Sequence, residues 1–139
     1  KKQLLNVTKK ALNLGVMAAI YGNTIGHIGA AIQHYTESQG YSVVKELVGH
    51  GIGKNLHEEP EVPNYGIEGV GSLLEDGIVL AIEPMVNIGS ADVFQKEDGW
   101  TIETKDGLPS AHFEYTVAIT KNKTEILNSF ELIEKEINK

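Results

Sequence analysis

The sequence has 139 residues, 41% hydrophobic and 22% charged, the composition of an ordinary globular chain long enough for one domain with a real core. It contains no cysteine, which excludes disulfides and thiolate metal sites and leaves a reducing cytoplasm as the expected compartment. A net charge of −7 and basic residues that are all lysine argue against a DNA surface, and no apolar run approaches the roughly 20 residues of a membrane helix.

The start, KKQLLNVTKK, lacks the apolar core and small-residue cleavage site of a signal peptide. It begins at Lys1 rather than Met, which reads as a fragment or processed product. Residues 1–36 hold four lysines and no acid; residues 37–139 hold eight lysines and 19 acids, a net of −11. A basic amphipathic start fits a transit peptide or a membrane-surface helix; the plainer reading is two helices with a solvated lysine face.

Leu4, Leu5, Val7, Ala11, Leu12, Val16, Ala19 and Ile20 recur at three- and four-residue steps, which predicts a helix over 2–21. YGNT breaks it, with Gly22 as stop and Asn23 or Thr24 as the next N-cap. A second helix runs to about Gln39 on a stripe of Ile25, Ile28, Ile32 and Tyr35, and Gly40 ends it. YSVVKEL (41–47) is a short strand candidate, and residues 48–77 are rich in glycine and loops.

Strands follow. GIVLAIEPMVNIG (77–89) is an apolar run with one charge inside it; DVFQ and WTIETK flank the turn KEDG. AHFEYTVAIT (111–120) alternates, with Ala111, Phe113, Tyr115, Val117 and Ile119 on one face. KNK turns into TEILN, and SFELIEKEINK reads as a terminal helix. Two helices followed by mostly antiparallel strands make a single α+β domain, without internal repeats.

Four features carry possible chemistry. His50 and His57 lie seven residues apart in GHGIGKNLHEEP (49–60), and Gly49, Gly51 and Gly53 alternate around His50, as in a loop that aims an imidazole. HEEPE is not the H-E-x-x-H zinc motif, because its second histidine is missing. Glu83 follows Ile78, Val79, Leu80, Ala81 and Ile82, so it should be partly buried and need a cation, donors or a proton. An edge-strand glutamate facing water is the alternative, which Pro84 allows.

Glu114 and His112 share one strand face, opposite Phe113 and Tyr115; a solvated polar face with Thr116 and Thr120 explains the same pattern. Trp100, the only tryptophan, belongs either in the core or on the wall of an apolar pocket. Two histidines and two strand glutamates are a nitrogen and oxygen donor set suited to zinc, manganese, iron or cobalt.

The ordered motifs GHGIGKNLHEEPEVPNYG, GIVLAIEPMVN and EDGWTIETKDGLPSAHFEYTVAIT resemble the C-terminal half of type I methionine aminopeptidases, over about residues 2–127. The resemblance implies half of a "pita-bread" fold around a site for two divalent ions (cobalt, manganese, iron or zinc). It implies removal of the initiator methionine from nascent proteins with a small second residue, work compatible with a place near the ribosome. His50, Glu83 and Glu114 would be metal ligands, with Glu114 bridging the two ions and Glu83 also handling the proton. His57 would hydrogen-bond the substrate and stabilise the tetrahedral intermediate. Trp100 would line the methionine pocket, which Leu56, standing where the family usually has phenylalanine, would widen.

Departures accompany the match. The family uses two further aspartate ligands from an N-terminal half, yet the first acid here is Glu37. The resemblance therefore implies a partial domain, 1–139, with the N-terminal half absent, impaired metal binding and little activity alone. His112 stands where glutamine is common, and Tyr115 replaces the usual histidine. A related Xaa-Pro aminopeptidase would show R-x-E-D at the bridging position, where this chain has HFEYT. A non-catalytic half-domain would expose an apolar face and self-associate or bind a partner.

Overall fold

The computed structural model describes residues 1–131 and 135; most of the predicted terminal helix lies outside the described residues. Helix α1 spans Lys2–Ala18 and buries Leu4, Val7, Thr8, Ala11, Leu12 and Gly15, one face at three- and four-residue steps. It ends earlier than expected, and the exposed Ile20 lies outside the helix. Ala19 turns away, and the Asn23 side chain donates to the Ala18 carbonyl at 2.9 Å, satisfying one of the carbonyls a helix end leaves unpaired.

Helix α2 spans Ile25–Ser38 from Thr24 as N-cap. His27 takes the third helical position, where its Nδ1 accepts the Thr24 backbone N–H at 3.1 Å, the part a glutamate plays in a capping box. Ile25, Ile28 and Ile32 are buried as their spacing predicts, and Gly40 takes the left-handed conformation (φ +79°) just past the end.

Among the described residues ten short strands follow: β1 (Ser42–Val43), β2 (Gly49–Gly51), β3 (Glu58–Val62), β4 (Ile78–Ile82), β5 (Met85–Asn87), β6 (Val93–Gln95), β7 (Ile102–Thr104), β8 (Ser110–His112), β9 (Tyr115–Ile119) and β10 (Thr124–Ile126). They form a five-stranded sheet in the order β10-β9-β4-β2-β3, a three-stranded sheet β1-β5-β8 and the hairpin β6-β7, all antiparallel. The α+β reading therefore holds. Leu12 of α1 and Ile28 and Ile32 of α2 share a core with Leu80, Ile82, Val117 and Ile119 of the large sheet. Leu4, Val86 and Ala111 form a smaller cluster beside the second sheet.

Three sequence expectations change. The run 77–89 is two strands, β4 and β5, in different sheets, and 111–120 likewise divides into β8 and β9. Pro84 has no N–H to give to a ladder, so pairing lapses at that point on both strands. The loop expected over 48–77 contains β2 and β3, and the strand expected over 41–47 shortens to two residues.

Candidate metal centre

The double strand break builds the site. Ile82 pairs with Tyr115 on one side of it and Met85 with His112 on the other. Two residues intervene on each strand, so the register runs through unchanged and Glu83 stands opposite Glu114. Two asparagines take over the carbonyls that the ladder releases. Asn64, wholly buried, donates from Nδ2 to the Glu83 carbonyl at 3.3 Å. Asn128 donates to the Glu114 carbonyl at 3.4 Å and accepts the Thr116 backbone N–H at 2.9 Å.

His50 arrives from β2, paired with Ala81 of β4 and Glu61 of β3. It lies on a central strand rather than in the loop the sequence suggested. Its neighbouring glycines serve close approach, not the positive φ they could have supplied: neither Gly49 nor Gly51 is in the left-handed region. A Cβ on Gly49 would collide with the Ala81 carbonyl oxygen, and one on Gly51 with that of Glu59.

The His50 ring is set by its own strand. A carbonyl oxygen can only accept, so the 2.9 Å contact between Nδ1 and the Gly51 carbonyl places a proton on Nδ1. In the neutral ring Nε2 then presents a lone pair toward Glu83 Oε1, 3.7 Å away. Two electron-rich atoms facing each other at that distance leave a place for a cation. The other oxygen, Oε2, lies 3.2 Å from His112 Nε2. Only 15% of the Glu83 side chain is exposed, so its carboxylate is partly desolvated, as the sequence predicted, and two imidazoles face it.

Glu83, His112 and Glu114 offer donor atoms that all lie within 4.8 Å of one another. His50 adds a fourth donor residue on the opposite oxygen of Glu83. Imidazole and carboxylate without thiolate suit zinc, manganese, iron or cobalt, so these residues fit divalent ions.

His57 sits beside this cluster, its ring centroid 4.1 Å from that of His50. The loop that presents it is clasped by the Glu58 carboxylate, which accepts the Asn55 backbone N–H at 2.8 Å. Leu56 is 68% exposed in the same loop. Trp100 is 88% exposed at the turn of the β6-β7 hairpin, which excludes the core role. Asp98 shapes that turn by accepting the backbone N–H groups of Trp100 and Thr101 and the Thr101 hydroxyl. These bonds, the Thr101 hydroxyl first, hold its carboxyl below the ordinary aspartate range. An apolar cavity of about 220 Å³ between the hairpin and the small sheet is lined by Val44, Leu47, Met85, Val93, Ile102 and His112, among others. Neither Trp100 nor Leu56 is among its lining residues.

The structure thus brings His50, His57, Glu83 and Glu114 together and leaves Trp100 and Leu56 open to solvent. Sequence reasoning missed His112 as a donor, although its two-residue spacing from Glu114 puts both on one strand face. It also missed Asn64 and Asn128, whose roles depend on a strand break that the apolar pattern hides.

Comparisons with known proteins identify the family. The profile of metallopeptidase family M24 matches residues 1–121. The methionine aminopeptidase of Clostridium acetobutylicum is 52% identical over 125 residues, covering 90% of this chain and 50% of that protein. Methionine aminopeptidase 1 of Bacillus subtilis is 49% identical over 126 residues, covering 91% and 51%. The crystal structure of methionine aminopeptidase from Thermotoga maritima superposes with a TM-score of 0.88 at 47% identity, over 91% of this chain and 51% of that one. A prolidase from Pyrococcus horikoshii shares the fold, with a TM-score of 0.68 at 23% identity over 92% of this chain and 31% of that one. The chain spans about half the length of the curated relatives it matches. Matched from residue 1 to residue 121 and folded like part of the pita-bread methionine aminopeptidases, the chain belongs to metallopeptidase family M24.

Proposed function

We propose that these 139 residues correspond to the C-terminal half of a methionine aminopeptidase, a hydrolase that removes the initiator methionine from nascent proteins with a small second residue. The observation that carries this reading is the opposition of Glu83 and Glu114 across a break shared by both strands, with His50 Nε2 aimed at Glu83. His50, Glu83 and Glu114 would hold two divalent ions, which supply Lewis-acid polarisation of the methionyl carbonyl and lower the pKa of water when bound.

The chain's own side chains do the rest. Glu83, partly desolvated, takes the proton of the attacking water and passes it to the departing amine. Exposed and next to His50, His57 donates a hydrogen bond to the oxyanion that develops on the substrate carbonyl. Trp100 and Leu56, open to solvent, contribute wall to the methionine pocket only when further structure packs against them. Residues 1–36 contain no acid that could stand for the two aspartate ligands the resemblance expects. The 139 residues alone therefore hold metal weakly and turn over slowly in this reading.

A second reading, a self-associating half-domain, is favoured by one observation: Ile67, Val70 and Leu73, close together in one loop, are each more than half exposed. Methionine release from Met-Ala-Ser, with manganese or cobalt present, by this chain joined to the N-terminal half of a methionine aminopeptidase tests the first reading, and a peptide with proline second separates it from Xaa-Pro cleavage. Release from Met-Ala-Ser alone supports the proposal. Cleavage confined to the proline peptide contradicts it. Concentration-dependent dimers without any peptide cleavage favour the second reading.

A further inference from the structure

Resting on the metal site just proposed, we infer that His112 is a further metal ligand in this chain, closing a His-Glu-Glu set on the second oxygen of Glu83. The donor atoms of Glu83, His112 and Glu114 lie within 4.8 Å of one another. Two donors about 2.0–2.1 Å from a tetrahedral ion stand roughly 3.3 Å apart. His112 Nε2 and Glu83 Oε2 are already separated by 3.2 Å.

The strand break explains the position. His112 is the last residue of β8, paired with Met85, and its side chain falls on the same strand face as that of Glu114 two residues on. Its ring borders the apolar cavity beside Val44, Met85 and Ile102, which gives the imidazole a wall to lie against. Its side chain is 47% exposed, so an ion can reach it from solvent.

The chemistry of the site changes with this residue. Glu83 becomes a carboxylate with an imidazole on each oxygen, His50 on one and His112 on the other. A set richer in imidazole favours zinc, iron or cobalt over manganese. The same 3.2 Å also fits a hydrogen bond from Nε2–H of His112 to Glu83. The two arrangements exclude each other, because a ring nitrogen that carries a proton cannot bind an ion.

Calorimetric titration of zinc chloride and manganese chloride into the metal-free 139-residue chain tests the inference, with His112→Gln, His50→Gln and the surface control His34→Gln alongside. Nitrogen NMR of the wild-type imidazoles under zinc gives a readout that needs no variant. The expected result is zinc binding at least about tenfold weaker in His112→Gln, a smaller preference for zinc over manganese, no change in His34→Gln and a zinc-dependent shift of the His112 ring nitrogen. Unchanged zinc affinity in His112→Gln and an unmoved ring nitrogen, with weakened binding in His50→Gln, would overturn the inference and leave the metal site standing. Zinc binding that is indifferent to His50 as well would overturn both.

Discussion

Asn64, just past the end of β3, is wholly buried and donates its side-chain amide to the main-chain carbonyl of Glu83 at 3.3 Å. The bond replaces a ladder partner that Pro84 and the strand break remove, so the position of Glu83 depends on a residue 19 places earlier. Asn64→Ala should therefore lower stability by about 1–3 kcal/mol, the usual effect of stranding a buried polar group. It should also weaken metal binding, because Glu83 loses its fixed backbone. Urea unfolding and a zinc titration on the same variant check both effects.

Metal binding should be visible as stability. A ligand that binds only the folded chain adds about 2.7 kcal/mol at a hundred times its Kd. Zinc or cobalt should raise the Tm of the wild-type chain, and EDTA should return it to the starting value. Glu83→Gln removes a partly buried charge without changing shape, so the metal-free variant should melt at or above the wild-type temperature while losing most of the metal-induced rise.

Gly49→Ala and Gly51→Ala each place a methyl against a carbonyl oxygen of a neighbouring chain segment. The backbone must shift in either case, and β2 is the strand that carries His50. Each should cost about 1–3 kcal/mol, the range for overpacking a closed site, and should weaken metal binding beyond the wild-type level. Denaturant unfolding with metal titration reads both.

The β6-β7 turn should respond to acid. Asp98 is held below its ordinary value by hydrogen bonds that only the folded turn supplies. Its contribution is therefore complete above the unfolded aspartate value of about 3.9 and is lost as pH falls through the lower folded value. Trp100 fluorescence should stay constant down to about pH 4 and change below it. Asp98→Ala should show the low-pH signal already at neutral pH.

Much of this was legible in the residues themselves. Ile25, Ile28 and Ile32 marked the buried face of α2, and Val117 and Ile119 that of β9, because burial imposes a period that the sequence must keep. Glu83 stood out because a charge after five apolar residues needs a partner. The break at Pro84 was not legible as a change of sheet, since the apolar pattern runs on into Met85 and Val86 in the same register. His112 stayed hidden because periodicity alone cannot distinguish a ligand from a solvated polar residue. Trp100 was divided between core and pocket wall, and its exposure at a hairpin turn excludes the core.

The most direct test is a graft. The matched segment of the Clostridium acetobutylicum methionine aminopeptidase would be replaced by the corresponding residues of this chain, and methionine release from Met-Ala-Ser measured with manganese or cobalt. The account predicts release by the graft and a loss of about 10²–10⁴-fold on Glu83→Gln, the range for removing a general base. A folded, metal-binding graft that releases no methionine, or one that Glu83→Gln leaves unchanged, would contradict it.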